Sequence, residues 1–201
     1  LIVVDEAYYE IGALAGDARA WTAAPLLASA GNRLVVLRTF SKLFGLAGLR
    51  VGYGLCSPEI AGRLQALKAP YNVNIVGQIA ALAALSDLDW LRERAQLLVT
   101  ERERVARTLM DQHGLRVWPS AANFLLVEVA PDVAEPTASE QRRDKLWQAL
   151  LTGGILTRRL TGPRLEGVLR VTIGLPEQND AFCAALARAR QTSEGEPQWA
   201  N

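Results

Sequence analysis

Two short runs of apolar, mostly β-branched residues constrain the fold of this chain more than any other feature. Leu1 to Val4 and Leu34 to Leu37 are continuous apolar runs, a pattern typical of strands buried on both faces of a parallel sheet. Each run leads directly into polar residues, Asp5-Glu6 after the first and Arg38-Thr39 after the second. Because strands and helices also alternate along the rest of the chain, we predict an α/β fold.

Polar side chains after these two strands are predicted to meet in one crevice. In open α/β sheets, ligands bind beyond the carboxyl ends of the strands. Asp5 ends the first strand, and Lys42 follows the second. The hydroxyls of Thr39 and Ser41 and the charge of Arg50 could converge on one phosphate through charge-assisted hydrogen bonds. The sequence therefore predicts a phosphate-binding site next to a lysine.

An amine, a carboxylate and a phenol beside a phosphate site are what pyridoxal phosphate (PLP) requires from a protein. Lys42 supplies the amine for the aldehyde, Asp5 a carboxylate for the pyridine nitrogen, and Tyr8 a phenol for the ring oxygen. A negative charge beside that nitrogen favours the protonated ring, which then acts as an electron sink. Taken singly, Asp5 could be a solvated turn residue and Lys42 a surface charge. Their combination favours a PLP enzyme.

The motifs Asp5 to Tyr8, DEAY, and Thr39 to Arg50, TFSKLFGLAGLR, resemble the core of the class I and II, fold-type I, PLP-dependent aminotransferases. The resemblance is greatest to the histidinol-phosphate aminotransferase branch. Three later segments are similar to the small-domain and closing segments of that branch: residues 119–127, 146–158 and 167–174. The resemblance extends to about Arg190 and implies the carboxyl-terminal part of the PLP-dependent transferase fold, with a partial large-domain sheet and a small α+β domain.

The resemblance also implies a role for each matching residue of the cofactor site. Lys42 would be the catalytic lysine and bind the cofactor covalently, Asp5 would pair with the pyridine nitrogen, and Tyr8 would contact the ring oxygen. The phosphate would be bound by three residues: Thr39, Ser41 and Arg50. No metal is expected, since His113 is the only histidine and the two cysteines are far apart in sequence.

For the substrate, the resemblance implies that Arg170 binds the α-carboxylate and that Arg158 helps to hold the acidic end. A guanidinium group binds a carboxylate or phosphate through two parallel hydrogen bonds. The expected reaction is transamination between histidinol phosphate and 2-oxoglutarate, giving imidazole acetol phosphate and glutamate. Two alternatives stay open: a PLP-dependent decarboxylase of the threonine-phosphate type, and a catalytically silent fragment.

Members of this family carry further cofactor-binding groups ahead of the Asp-Glu-Ala-Tyr strand, including a phosphate-binding helix start and an aromatic ring that stacks on the pyridine. The chain opens inside that strand, so we interpret it as the carboxyl-terminal portion of a longer polypeptide whose amino-terminal half is absent. We expect this portion alone to be inactive, to expose apolar surface at residues 1–4 and 34–37, and to form a homodimer at full length.

Composition narrows the partners. The formal net charge of +1 gives no reason to expect nucleic acid or an acidic membrane surface. The partners that the resemblance implies are small-molecule substrates, an amino acid and a keto acid. Two distant thiols indicate a reducing, cytoplasmic setting. Four of the five tryptophans, at positions 21, 90, 118 and 147, are interpreted as packing residues.

Three regions are predicted: a partial PLP-binding domain over residues 1–88, a linking helix and small domain over 89–190, and a disordered tail over 191–201. Strands are predicted at 49–55, 115–118, 124–129, 155–157 and 169–173. Helices are predicted at 58–69, 74–85, 89–112, 141–151 and 176–190, and a loop at 130–139.

Overall fold

The computed structural model describes residues 1–194, with side chains as far as Arg190. It divides into two compact units, Leu1–Val99 and a second that begins at Thr100. The division falls inside a long helix, α5 (Leu88–His113), whereas the predicted boundary lay at residues 88 and 89. The assignment of 1–88 and 89–190 as domains stays a prediction.

A three-stranded sheet forms the centre of the first unit. Its strands are β1 (Ile2–Asp5), β2 (Leu34–Thr39) and β3 (Gly52–Cys56), in the order β1-β2-β3. β1 and β2 run parallel with Asp5 opposite Leu37, so their carboxyl ends lie at the same edge, and β3 runs antiparallel to β2. The predicted α/β class is confirmed.

Burial differs between the two apolar strands. In β2, Leu34, Val35 and Val36 are buried, as predicted, while Leu37 is 40% exposed. In β1, Ile2 is 63% and Val3 55% exposed. The prediction of burial on both faces is therefore wrong for β1, while the expected exposure of residues 1–4 agrees with the structure at Leu1, Ile2 and Val3. The expected exposure of residues 34–37 is wrong except at Leu37.

Five helices surround or follow this sheet. They are α1 (Tyr9–Ala15), α2 (Leu27–Ala30), α3 (Pro58–Leu67), α4 (Ile75–Ser86) and the start of α5. Short 3-10 segments cover 24–26, 31–33 and 47–49. Ser57 caps α3 by accepting from the Ile60 amide, and Asn74 caps α4 by accepting from the Gly77 amide at 2.7 Å. Such caps satisfy amides that the first helical turn leaves unpaired.

The second unit is built on a four-stranded antiparallel sheet. Its strands are β4 (Arg116–Val117), β5 (Phe124–Glu128), β6 (Arg158–Arg159) and β7 (Val168–Thr172), in the order β4-β5-β7-β6. Helices α6 (Pro136–Thr152) and α7 (Pro176–Glu194) complete it. One sheet face supplies four buried side chains, as the register shows: Leu125, Val127, Leu169 and Val171.

Three predictions for the second unit differ from the structure. Helix α6 begins at Pro136 rather than at residue 141, because the Glu135 carboxylate caps it by accepting from the Thr137 amide and proline suits the first helical position. Residues 155–157 are not a strand, since the Ile155 amide still bonds to the Leu150 carbonyl after the helix. The predicted tail overlaps α7 up to Glu194, and residues 195–201 lie outside the described residues.

The tryptophans differ in their surroundings. Trp21 is 65% exposed, and Trp90 and Trp118 are each 48% exposed, so the packing role is wrong for these three. Trp147 is half-buried and contacts its neighbours in the second unit. Across residues 1–194, none of the helices combines the length and the apolar character that crossing a membrane requires.

Candidate active site

Lys42 lies beside Tyr8 where β1 and β2 end. Its Nζ atom is 4.9 Å from the centre of the Tyr8 ring. Tyr8 directly precedes α1, and Lys42 follows β2. Both side chains are half-buried. The two residues that the sequence predicts to supply the amine and the phenol are therefore neighbours, held there by the parallel pairing of the two strands.

The Thr39 and Ser41 side chains form a hydroxyl pair at the end of β2. Thr39 Oγ1 donates to Ser41 Oγ at 2.9 Å, and the Ser41 amide donates to Thr39 Oγ1 at 3.0 Å. Thr39 Oγ1 also lies 3.3 Å from the Val51 carbonyl oxygen. Both hydroxyls are thereby fixed on the residues that lead into Lys42, where they can bind an anion.

Arg50 adopts a left-handed backbone conformation with φ 57° and ψ 48°. Its exposed guanidinium donates to the Ala47 carbonyl at 2.8 Å, so this contact is to the turn rather than to the hydroxyls of Thr39 and Ser41. The next residue, Val51, accepts from the Phe40 amide at 3.1 Å. Left-handed non-glycine residues are strained and concentrate at functional sites.

Asp5 occupies the end of β1 with an exposed side chain. Its Oδ1 atom accepts from the Ala7 amide at 3.0 Å, which fixes the carboxylate relative to the turn. A carboxylate has further lone pairs with which to accept from another donor. The position agrees with the solvated turn carboxylate and with the pyridine partner, the two roles considered above.

A buried ion pair beside these residues was missed in the sequence. Arg38 donates to Glu6 Oε2 from Nε at 3.1 Å and from Nη2 at 3.0 Å. Glu6 is only 6% exposed and also accepts from Thr22 Oγ1 at 2.9 Å and from the Ala23 amide at 2.6 Å. The available signal was a pair of opposite charges that follow the two apolar runs, at residues 6 and 38.

Glu10 extends this network from α1. Its Oε1 atom lies 3.9 Å from Arg38 Nη1 and, within the part of the chain that the structure describes, has no hydrogen-bond partner. Burial raises the pKa of the Glu10 carboxyl group above its ordinary value, against the opposing attraction of Arg38. The Arg38 guanidinium also stacks on the Tyr9 ring at 4.1 Å. Arg38 therefore interacts with two carboxylates. Glu6 accepts several hydrogen bonds, whereas the Oε1 atom of Glu10 accepts none among the described residues.

In the second unit, Arg158 and Arg170 lie opposite each other on adjacent antiparallel strands. Residues paired in this way project from the same face of a sheet, and like charges there are destabilising. The Arg170 guanidinium carbon lies 5.1 Å from the centre of the Phe124 ring. Its Nε atom is buried without a hydrogen-bond partner among the described residues. Two adjacent guanidinium groups with a spare donor are suited to binding an anion.

The described residues contain no group of three or more His, Cys, Asp or Glu side chains that could hold a metal ion. Within the first unit, the candidate groups are an amine, a phenol, two hydroxyls and a carboxylate. The second unit, taken by itself, holds the two facing arginines.

Comparison with known proteins supplies a family. Residues 1–186 match the sequence model described as aminotransferase class I and II. A histidinol-phosphate aminotransferase from Gloeobacter violaceus is 43% identical over 187 residues, which are 93% of this chain and 47% of that protein. The chain spans about half the length of the curated relatives that it matches.

Solved structures agree with the fold. Histidinol-phosphate aminotransferase from Sinorhizobium meliloti, in complex with pyridoxal-5'-phosphate, superposes with a TM-score of 0.80 at 31% identity, covering 96% of this chain and 49% of that one. L-threonine-O-3-phosphate decarboxylase from Porphyromonas gingivalis has a TM-score of 0.72 at 23% identity, covering 94% and 55%, which shows a shared fold alone. With its first 186 residues matched by the family, the chain belongs to the class I and II aminotransferases.

Proposed function

We propose that this chain belongs to a PLP-dependent histidinol-phosphate aminotransferase, which transfers an amino group from histidinol phosphate to 2-oxoglutarate and forms imidazole acetol phosphate and glutamate. The relatives at about 40% identity support the choice of substrate. In this proposal the first unit holds the cofactor and the second binds the anionic groups of the substrates.

The observation that carries the proposal is the position of the Lys42 amine, 4.9 Å from the Tyr8 ring centre and next to the Thr39 and Ser41 hydroxyl pair. These groups fit PLP, which presents an aldehyde, a phenolic oxygen and a phosphate. Asp5 would hold the proton on the ring nitrogen. The Arg50 guanidinium is exposed and would complete the phosphate site.

When bound, PLP supplies an electron sink that stabilises negative charge at the substrate Cα atom. The chain's own side chains would do the rest. Lys42 Nζ would bind the cofactor and then move the proton from the substrate Cα atom as a general base. Tyr8 would donate a hydrogen bond to the ring oxygen, and the Asp5 carboxylate would keep the ring nitrogen protonated.

Arg158 and Arg170 would bind substrate anions. Histidinol phosphate carries a phosphate where an amino acid carries its α-carboxylate, and 2-oxoglutarate carries two carboxylates. Planar guanidinium groups bind phosphate and carboxylate with the same two-bond geometry. The buried Arg170 Nε atom without a partner is consistent with a donor reserved for such a group. One pair of arginines could therefore serve both halves of the reaction.

The decarboxylase alternative is supported by fold alone at 23% identity. It differs in chemistry, because a decarboxylase releases carbon dioxide from a substrate carboxylate and histidinol phosphate has none. Carbon dioxide release from threonine phosphate, without amino transfer to 2-oxoglutarate, would favour that reading.

A homodimer in the cytoplasm is also proposed. Support for self-association comes from α4, where Ile75, Ile79 and Leu82 are each more than 60% exposed. Apolar surface of this extent typically marks an interface. Light scattering of the purified protein as encoded tests the dimer, and a monomer at micromolar concentration would contradict it.

The decisive experiment is covalent trapping of the cofactor. The complete gene product is incubated with PLP, reduced with borohydride, digested and mapped by mass spectrometry. We expect the pyridoxyl group on Lys42 and its loss in Lys42→Ala, with Lys68→Ala and Lys145→Ala as control variants. A label on Lys68 or Lys145 that survives Lys42→Ala would refute the proposed function.

A further inference from the structure

We propose that Arg159, held by Asp144 and Trp147 of α6, is a positioning residue that directs its neighbour Arg158 toward Arg170. This inference rests on the proposed function, because it gives the two facing arginines their role as ligands of a substrate anion. It assigns a task to three residues that do not themselves belong to the binding pair.

The argument begins with the length of β6, which is two residues, Arg158 and Arg159. Neighbouring residues of a strand project to opposite faces of the sheet. Arg158 pairs with Arg170, and Arg159 pairs with the buried Leu169. Whichever side chain is fixed on one face therefore fixes the direction of the other.

Arg159 is the side chain that is fixed. Its guanidinium carbon lies 4.1 Å from the centre of the Trp147 ring, and its Nη1 atom lies 3.2 Å from Asp144 Oδ2. A stacked and ion-paired arginine combines a cation–π contact with a directional bond. Arg159 is therefore held against α6, which places that helix on the face of Leu169 and leaves Arg158 on the face of Arg170.

The backbone on both sides of β6 is held from the same helix. Trp147 Nε1 donates to the Thr157 carbonyl at 3.0 Å, before the strand. Arg143 Nη1 donates to the Leu160 carbonyl at 2.8 Å, after it. Arg143 is only 2% exposed and also pairs with Asp144. Residues 143, 144 and 147 lie on one side of a helix, so a single surface of α6 orients the whole strand.

Such a support is needed because Arg158 and Arg170 repel each other across the ladder. A two-residue strand at the sheet edge has few bonds with which to resist that repulsion, and rotation of β6 would separate the guanidinium groups. The contacts of Arg159 oppose this rotation. They keep both cations in place before an anion arrives, which lowers the ordering cost of binding.

The test compares Arg159→Gln with Arg116→Gln in the complete gene product with PLP bound. Both arginines are about half exposed and ion-paired in the same sheet, Arg116 with Glu128 on the opposite edge. Binding of inorganic phosphate and of succinate is measured by calorimetry. We expect Arg159→Gln to weaken both by about tenfold, as misplacement of a binding group does, and Arg116→Gln to leave them unchanged.

A second pair of variants tests the hydrogen bond from α6 to the backbone before β6. Trp147→Phe deletes the donor to Thr157 but keeps an aromatic ring, and Trp118→Phe is its control at an exposed tryptophan. We expect weaker anion binding from the first variant alone, together with a larger rise in KM for histidinol phosphate than fall in kcat.

The background variant Arg158→Ala separates positioning from general stability. If Arg159 acts through Arg158, Arg159→Gln should have no further effect on anion binding once Arg158 is alanine. A full additional tenfold loss in that background would overturn the inference. If Arg158→Ala and Arg170→Ala weaken binding but Arg159→Gln and Trp147→Phe do not, the positioning role fails alone. If none of the four changes binding, the proposed substrate site fails with it.

Discussion

Arg38 of β2 and Glu6 after β1 form a buried ion pair, with Arg38 Nη2 3.0 Å from Glu6 Oε2. Their side chains are 14% and 4% exposed. Because Glu6 stands between Asp5 and Tyr8, and Arg38 directly precedes Thr39, the pair ties together the two segments that carry the candidate cofactor site.

Removing the Arg38 cation of this pair should destabilise the folded protein. Arg38→Met leaves Glu6 and Glu10 buried without their shared partner, and we expect the free energy of unfolding to fall by about 3–5 kcal/mol. The matched control is Arg63→Met, whose ion pair with Glu59 is exposed and should contribute less than about 1 kcal/mol. Urea denaturation measures both. Equal losses in the two variants would show that the buried ion pair contributes no more to stability than the exposed one.

Glu10→Gln should stabilise the protein at neutral pH. Burial raises the pKa of Glu10 in the folded protein above the unfolded value. The favourable contribution is therefore complete below the unfolded pKa of 4.5 and is lost as the pH rises through the folded pKa. Glutamine cannot ionise, so the variant should have the higher unfolding temperature at pH 7, and the gain should shrink toward pH 4.

The control for that prediction is Glu93→Gln, since the Glu93 side chain is 72% exposed. Thermal unfolding is followed by circular dichroism between pH 4 and pH 8. A gain for Glu10→Gln that is constant across this range would assign the effect to packing rather than to ionisation.

Asp5→Asn should impair catalysis and leave the fold intact. The side chain is exposed and bonds to a nearby amide, and asparagine can still accept from that amide. It cannot hold the ring proton by charge, so we expect kcat to fall by at least about 100-fold to 1,000-fold, the scale of preorganised electrostatic contributions. The exposed Asp89→Asn is the control. Unchanged turnover by Asp5→Asn, in the protein as encoded, would remove the proposed role.

Two helical glycines should respond in opposite ways to alanine. A Cβ atom at Gly62 in α3 meets open space, whereas one at Gly77 in α4 would lie 2.8 Å from Val51 Cγ2. Gly62→Ala should stabilise by about 0.5–1 kcal/mol through helix propensity. Gly77→Ala should destabilise, because overpacking costs about 1–3 kcal/mol. Denaturation midpoints compare them, and a gain at Gly77 would contradict the close packing of α4 on Val51.

Local sequence signals predicted the elements that depend on neighbouring residues. The Ser57-Pro58 start of α3 and the apolar run of β2 agree with the structure because capping and strand formation are local. The start of α6 was not predicted, because its capping residue before Pro136 is a glutamate rather than a serine or threonine. Pro136 is compatible with the predicted loop, but proline also suits the first turn of a helix.

Local sequence patterns could not predict the features that depend on strand register. The Glu6 and Arg38 contact requires that β1 and β2 pair with Asp5 opposite Leu37, and Arg158 faces Arg170 only because β6 lies beside β7. The apolar run of β1 predicted burial on both faces, although exposure of residues 1–4 was also expected and is seen at Leu1, Ile2 and Val3. An apolar run shows how a strand could be covered but not whether another element covers it. Lys42, Thr39 and Ser41 were found because they share one short motif.

The open side of β1 carries backbone groups as well as apolar side chains. The Glu6 amide donates to Leu37 at 2.8 Å, so the amides of Ile2 and Val4 point toward β2, and those of Val3 and Asp5 point away from it. Any further strand on that side would have to join the ladder through Val3 and Asp5. The register of that strand would then depend on Asp5, whose carboxylate is proposed to meet the cofactor ring. A shift in that register would therefore change the backbone hydrogen bonds of Asp5 itself.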